Sequence, residues 1–285
     1  AFLHPLKFTG KNSLIKINKI QKKLKINNIK YYLLTSLDSI AWILNIRGND
    51  ISYTPLLCCY LVIPSKGKVC LFIKKVKISK KITKNLIKFV DILELKKLKN
   101  YIQSILVNNN FGMDYNLTPY YFEDICLKNK IISKNIANPC IAFKAKKNST
   151  ELQGARNANL RDGVSVTKFI FWLKNIISYY DICEIKASEY LYKLRSNNEL
   201  FYSLSFETIS AFSYHAALPH YRVNEKSNLK FKKNKMYLFD SGAQYLDGTT
   251  DITRTIIIGK PSAEEKDRFT RVLKGHIALA KAVFS

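Results

Sequence analysis

The chain has 285 residues, 47% of them apolar, with 17 Tyr and 16 Phe and a formal net charge of +26. Such a composition can bury two ordinary domain cores and excludes a disordered chain. The charge is spread rather than striped: residues 1–150 hold 27 Lys or Arg against 7 acids, nearly all of the basic residues being Lys, with no Arg-rich run interleaved with aromatics. It reads as solvated surface in a chain also rich in Asn and Ile, whose codons share an AT bias, and neither a nucleic-acid nor a membrane partner is expected. Six cysteines (Cys58, Cys59, Cys70, Cys126, Cys140 and Cys183) form no CxxC pair, which points to reduced, buried thiols and a cytoplasmic compartment. The longest apolar run, Leu56 to Ile63, is shorter than the about 20 residues a spanning helix needs. No signal-peptide pattern stands at the start, which is Ala rather than Met.

In chain order, residues 12–27 predict a Lys-rich amphipathic helix with Leu14, Ile17, Ile20 and Leu24 on one stripe. A strand is expected over Ile29–Leu34, and Asp38 as the cap of a short helix ending at Leu44. Strands Leu57–Ile63 and Val69–Ile73 flank a Pro64-Ser65-Lys66-Gly67 turn. Alternation continues through Lys81–Lys88, Val90–Leu93, Leu95–Leu106, Asn110–Tyr115 and Pro119–Lys128, predicting a layered α/β domain over residues 1–138. A second domain, 139–285, opens on a capping box, Asn148 with Glu151. Its helix is expected to run to about Tyr179, with Gly163 a candidate break, and a second helix covers Ile185–Ser196. From Phe201 the pattern turns to strands. Ser262 with Glu265 after Pro261 starts a last helix, expected to run to the end of the chain.

Chemistry concentrates between Met236 and Ile258. Two β-rich runs flank a Tyr245-Leu246-Asp247-Gly248 turn, a hairpin signal. With the turn centred between Tyr245 and Leu246, Asp240 faces Asp251 across the strands, with Cβ atoms about 4.5–5.5 Å apart. Two carboxylates so placed repel unless a cation or a shared proton lies between them. A pair of metal ions about 3.5–4 Å apart, as in hydrolytic two-metal sites, matches that spacing. Thr249 and Thr253 fall on the face of Asp251, and Gly242 on that of Asp240. The competing readings are a plain surface hairpin with two wet acids and a calcium loop, whose D-x-[DN]-x-[DN]-G spacing is not met. An aspartic-protease dyad would need its signature twice. His4, His215 and His276 read as structural histidines.

Taken together these residues resemble the Xaa-Pro aminopeptidase family, in its cytosolic three-domain branch. The resemblance rests on Asp240-Ser-Gly-Ala-Gln-Tyr245 and Asp247-Gly-Thr-Thr-Asp-Ile-Thr-Arg-Thr255, followed by Gly259 and the helix Phe269–Ala280. Lys144-x-x-Lys147-Asn148-x-x-Glu151, Leu160-Arg-Asp-Gly163 and Phe171-Trp172-Leu173 are also family-like, as is Leu37–Gly48 with Asp50 and Tyr53-Thr54-Pro55. The resemblance implies a creatinase-N-like α/β domain followed by a truncated pita-bread domain. It implies removal of the N-terminal residue preceding proline, a pair of divalent metal ions, usually manganese, and a homodimer. Residue by residue, Asp240 and Asp251 match the first two metal ligands, and His220 matches a histidine that contacts substrate. The family's remaining ligands, one His and two Glu, come later than Ser285, and its large first domain precedes the part that Phe8-Thr9-Gly10 resembles. Family glycines are replaced by Ser213 and Ala216, and Pro219 removes a backbone donor beside His220. An inactive remnant of such an enzyme and a basic nucleic-acid binder are the alternative functions.

Overall fold

Short β1 (Phe2–Leu3) and α1 (Leu6–Thr9) precede α2 (Ser13–Ile26), which starts where the Asn12 side chain accepts the Ile15 N–H at 2.9 Å. The computed structural model describes residues 1–106, 110–176 and 181–284, and its contacts divide the chain into Ala1–Arg156 and Asn157–Ser285. The boundary expected at residue 138 lies upstream of that division, and α7 (Cys140–Ala145) contributes Cys140 to the core of the first unit. In α2 the buried residues are Ile17, Ile20 and Leu24 together with Ser13, Lys16 and Gln21, whereas Leu14 is exposed, a correction to the expected stripe.

The first unit is built on six strands. In chain order come β2 (Tyr31–Leu34), α3 (Leu37–Leu44), β3 (Ile46–Arg47, paired with β1), β4 (Tyr60–Pro64), β5 (Val69–Ile73), α4 (Lys80–Leu86) and β6 (Val90–Glu94). There follow α5 (Leu98–Leu106), β7 (Phe111–Met113), α6 (Tyr120–Lys128) and β8 (Ser133–Asn135). The sheet order is β6-β5-β4-β2-β7-β8, mixed parallel and antiparallel. Successive side chains of a strand point to opposite faces, and here they feed two separate cores. Tyr32, Leu34, Leu61, Ile63, Leu71 and Ile73 pack with residues of α2, α3 and α4. Leu33, Val62, Cys70 and Phe72 pack with residues of α5 and α6. Helices thus cover both faces of the sheet, which explains why β5 is apolar and buried at every position.

Asp38 lies in the first turn of α3, while the cap position is Ser36. Leu95–Lys97 forms a separate 3-10 turn ahead of α5.

Helix α8 (Ser149–Ile176) runs through the division, and the second unit continues with α9 (Glu184–Ser196), β9 (Phe201–Leu204), β10 (Ile209–Phe212), β11 (Lys235–Ser241), β12 (Ala243–Tyr245), β13 (Gly248–Thr249), β14 (Ile252–Ile258) and α10 (Ala263–Lys281). Helix α8 begins at the expected capping box: the Glu151 N–H donates to Asn148 Oδ1 at 3.0 Å, and the Asn148 N–H to Glu151 Oε2 at 2.9 Å. It passes through Gly163 unbroken, and its expected end at Tyr179 lies outside the described residues. Two three-stranded antiparallel sheets follow, β10-β11-β14 and β13-β12-β9. Phe169 and Leu173 of α8 and Ala187 and Leu191 of α9 pack on Phe212, Tyr237, Phe239 and Ile258 of the first sheet. Helix α10 carries the expected Ser262/Glu265 capping box and stops at Lys281, where Ala282 turns extended.

Candidate metal centre

Tyr237 and Phe239 are wholly buried against α8, and the alternation of β11 then turns Asp240 the other way. The register is Asp240↔Thr253 on one side and Asp240↔Ile209 on the other, so Asp240 lies on a central strand. Asp251 is therefore not directly opposite Asp240, which corrects the sequence expectation. The hairpin closes at Tyr245↔Gly248, leaving Leu246 and Asp247 as the turn. Three tertiary bonds place it there: Arg161 grips Asp247 through two 3.0 Å bonds, and the Leu246 N–H donates to Leu200 O at 2.9 Å. The correction shifts every partner by two residues. Asp251 lies one residue before β14, where the hairpin passes between the two sheets, and is not part of the ladder that pairs Asp240 with Thr253.

Gly242 marks where the hairpin passes from one sheet to the other, between β11 and β12. A Cβ there would lie 2.0 Å from Thr250 O and 2.3 Å from Ser205 Oγ. The glycine thus allows two backbones to touch, and leaves no open space beside Asp240 as its position on that face had suggested. Thr250 locks the crossing, with Oγ1 accepting the Ala243 N–H at 3.0 Å and its carbonyl accepting the Ser205 hydroxyl at 2.9 Å. Asp240 lies just before this bend, and Asp251, exposed, lies in the crossing just ahead of β14. Thr249 donates to Gln244 Oε1 at 2.6 Å.

The Oδ1 atom of Asp240 is buried and has no hydrogen-bond partner among the described residues. A charged oxygen so placed costs stability unless something positive reaches it. It therefore fits a cation, and two carboxylates make a hard-oxygen donor set suited to a divalent ion. Among the described residues no group of three or more His, Cys, Asp and Glu stands together to complete such a site.

His220 is exposed, in a turn, with φ 54°. The loop that carries it is anchored on a residue that the sequence reading did not single out. Glu184, wholly buried at the start of α9, accepts the Phe212 N–H at 2.7 Å and the Leu229 N–H at 2.9 Å. It also meets His215 Nδ1 at 2.9 Å and the Tyr221 hydroxyl at 3.1 Å. Burial, then the nearby Glu184 charge, pushes the Tyr221 phenol above its usual range. His215 is structural, as expected.

A second buried cluster joins α8, α9 and β12. Arg195 and Asp162 pair through bonds of 2.7 and 2.9 Å, and the Tyr245 hydroxyl donates to Asp162 at 3.0 Å. The Arg161 guanidinium stacks on the Tyr245 ring at 4.9 Å, and its bond to Asp247 raises its pKa. Burial and then Asp162 raise the pKa of Tyr245. The Leu160-Arg-Asp-Gly163 run held the signal for this cluster, but nothing local told its charges from wet ones.

Fold and motif together define the class. Residues 1–151 match the Creatinase/Prolidase N-terminal domain family and residues 153–285 match Metallopeptidase family M24. Similar relatives include Xaa-Pro aminopeptidase 1 of Dictyostelium discoideum, 36% identical over 290 residues, covering 98% of this chain and 44% of that protein. Aminopeptidase P1 of Arabidopsis thaliana is 31% identical over 328 residues, covering 99% and 51%. The crystal structure of X-prolyl aminopeptidase from Caenorhabditis elegans, described as a cytosolic enzyme with a di-nuclear active site, matches with a TM-score of 0.91 at 34% identity, covering 99% of this chain and 47% of that one. Prolidase from Pyrococcus horikoshii, at 21% identity and a TM-score of 0.67, shares the fold. The chain belongs to the Xaa-Pro aminopeptidase family, and it spans about half the length of the curated relatives it matches.

Proposed function

We propose that this protein is a metal-dependent aminopeptidase that removes the N-terminal residue preceding proline from peptides. Asp240 and Asp251 hold a pair of divalent cations, with manganese the expected metal, and His220 faces the substrate. The observation that supports the reading is the buried Asp240 Oδ1 on a central strand, without a hydrogen-bond partner among the described residues, with Asp251 one residue ahead of the neighbouring strand β14. When bound, the metal pair supplies polarisation of the scissile carbonyl and an activated water. His220 donates a hydrogen bond to the oxygen on which negative charge develops. Residues 1–138 act as the creatinase-N-like domain and 139–285 as the first part of the pita-bread domain. A cytoplasmic location and a homodimer belong to the same reading. Among the described residues no helix is long and apolar enough to cross a membrane.

The test is Asp240→Asn, made in the protein expressed from its complete reading frame. The unaltered protein gains thermal stability with added Mn²⁺, by about 2.7 kcal/mol at a hundredfold excess over Kd. It releases the first residue of an X-Pro peptide only when metal is present. Asp240→Asn loses both the Mn²⁺ stabilisation and at least 100-fold in turnover, while its metal-free form is no less stable. Full activity in the variant sinks the site. An unaltered protein that neither binds Mn²⁺ nor cleaves supports the inactive remnant instead.

A further inference from the structure

We propose that Glu184 is the positioning residue that sets His220 against the Asp240 strand, an inference that rests on the reading of His220 as the substrate-facing group. The chain leaves β10 at Phe212, passes through the 3-10 turn Ser213–Ala217 and reaches His220 and Tyr221. Both ends of this loop are strained. Ser213 and His220 have φ of 56° and 54°, in the left-handed region that residues with a Cβ rarely adopt and that persists only where the surroundings hold it.

Glu184 supplies that hold. Its Oε1 accepts the Phe212 N–H, just before the loop, and its Oε2 accepts the Tyr221 hydroxyl, just after it. Between them the His215 ring bonds Oε1 and stacks on Tyr221 with centroids 4.3 Å apart. The Leu229 N–H makes the fourth bond. Four groups thus converge on its two carboxyl oxygens. Glu184 is itself fixed: its carbonyl accepts the Ser210 hydroxyl at 2.7 Å, and its N–H donates to Leu229 O at 3.2 Å.

The geometry refers two elements to one point. Phe212 ends β10, whose Ile209 pairs with Asp240, while Tyr221 is bonded covalently to His220. One buried carboxylate therefore fixes the imidazole-bearing residue relative to the strand that carries the metal ligand. A displacement of about 1 Å in a reacting group can lower turnover by up to about 100-fold.

Two variants test this in the protein from its complete reading frame. Tyr221→Phe keeps the ring stack and removes the hydroxyl that bonds Glu184 Oε2 and also Ser227 Oγ and O; Glu184→Gln puts an amide NH₂ against two donors. Tyr221→Phe should lower kcat about tenfold on an X-Pro peptide, with KM and Mn²⁺ affinity within about twofold. Amide exchange over residues 213–220 should accelerate about tenfold, and Glu184→Gln should exceed both effects. Unchanged kcat and unchanged loop exchange in Tyr221→Phe overturn the proposal even where Glu184→Gln does not fold. A matching loss of Mn²⁺ affinity also overturns it, because it marks general loosening of the domain. His220→Ala separates the two readings. If it leaves kcat intact, the role of His220 falls and the positioning role with it, whereas a large loss there beside wild-type Tyr221→Phe sinks the positioning role alone. In a protein without peptidase activity, loop exchange decides: acceleration supports the clamp and no change refutes it.

Discussion

Asp162→Asn should be among the most damaging single-atom-scale changes in the second unit. The carboxylate takes two bonds from Arg195 and one from Tyr245, and the two charged side chains are 3% and 0% exposed. Arg195 has little else to lean on: its Nη1 is buried with no partner among the described residues. Removing one member of a buried pair strands the other charge, at about 3–5 kcal/mol. Asparagine keeps one acceptor oxygen, so the lower end, about 3 kcal/mol, is expected. The Arg161–Asp247 pair has similar geometry, but Arg161 is 19% exposed, and water limits its loss to about 1–2 kcal/mol. Replacing Asp162 and Arg195 together by Leu and Met should restore much of the loss, since no lone charge remains. The chain has two tryptophans, Trp42 in the first unit and Trp172 in the second. Urea unfolding followed by Trp172 fluorescence in a Trp42→Phe background therefore reads the second unit alone. A cost under about 1 kcal/mol for Asp162→Asn, or a double variant worse than the single one, would refute the reasoning.

Gly242→Ala should cost about 3 kcal/mol or more, because the new methyl meets the Thr250 carbonyl, a backbone atom that cannot rotate away; an unchanged melting temperature would contradict this. Lys16 is buried, with Nζ bonded to Trp42 O at 2.7 Å and Asn45 Oδ1 at 2.6 Å, and burial lowers its pKa to about 8. Between that value and its ordinary 10.5 the unfolded chain binds more protons than the folded one, so stability rises with pH through this window, by up to about 3 kcal/mol. Urea midpoints read from Trp42 fluorescence in a Trp172→Phe background at pH 7 and 9.5 should show the rise where Lys16 is kept and not in Lys16→Met; equal slopes would count against it.

Much of the architecture was legible in the residues themselves. Apolar runs such as Val69–Ile73 and the capping boxes at Asn148 and Ser262 depend on neighbours a few positions away, and those neighbours are written side by side in the chain. The hairpin was legible too, although its register was two residues off, with Thr253 rather than Asp251 opposite Asp240. The turn itself was decided elsewhere, by Arg161 on α8 and by the Leu200 carbonyl, both far along the chain. The same holds for which polar groups are dry. Leu14 faces water while Lys16 and Gln21 are buried, and Glu184, Asp162 and Arg195 look in sequence like any solvated helix charges. Burial of a charge is set by what distant segments lay over it, and its partners are recruited across 26 to 109 positions in bonds such as Lys16–Trp42 and Trp42–Glu151. Local pattern carries no record of such partners, so the motif that holds Asp240 and Asp251 could be read from the chain, but the four bonds gathered on Glu184 emerged only when the chain was folded.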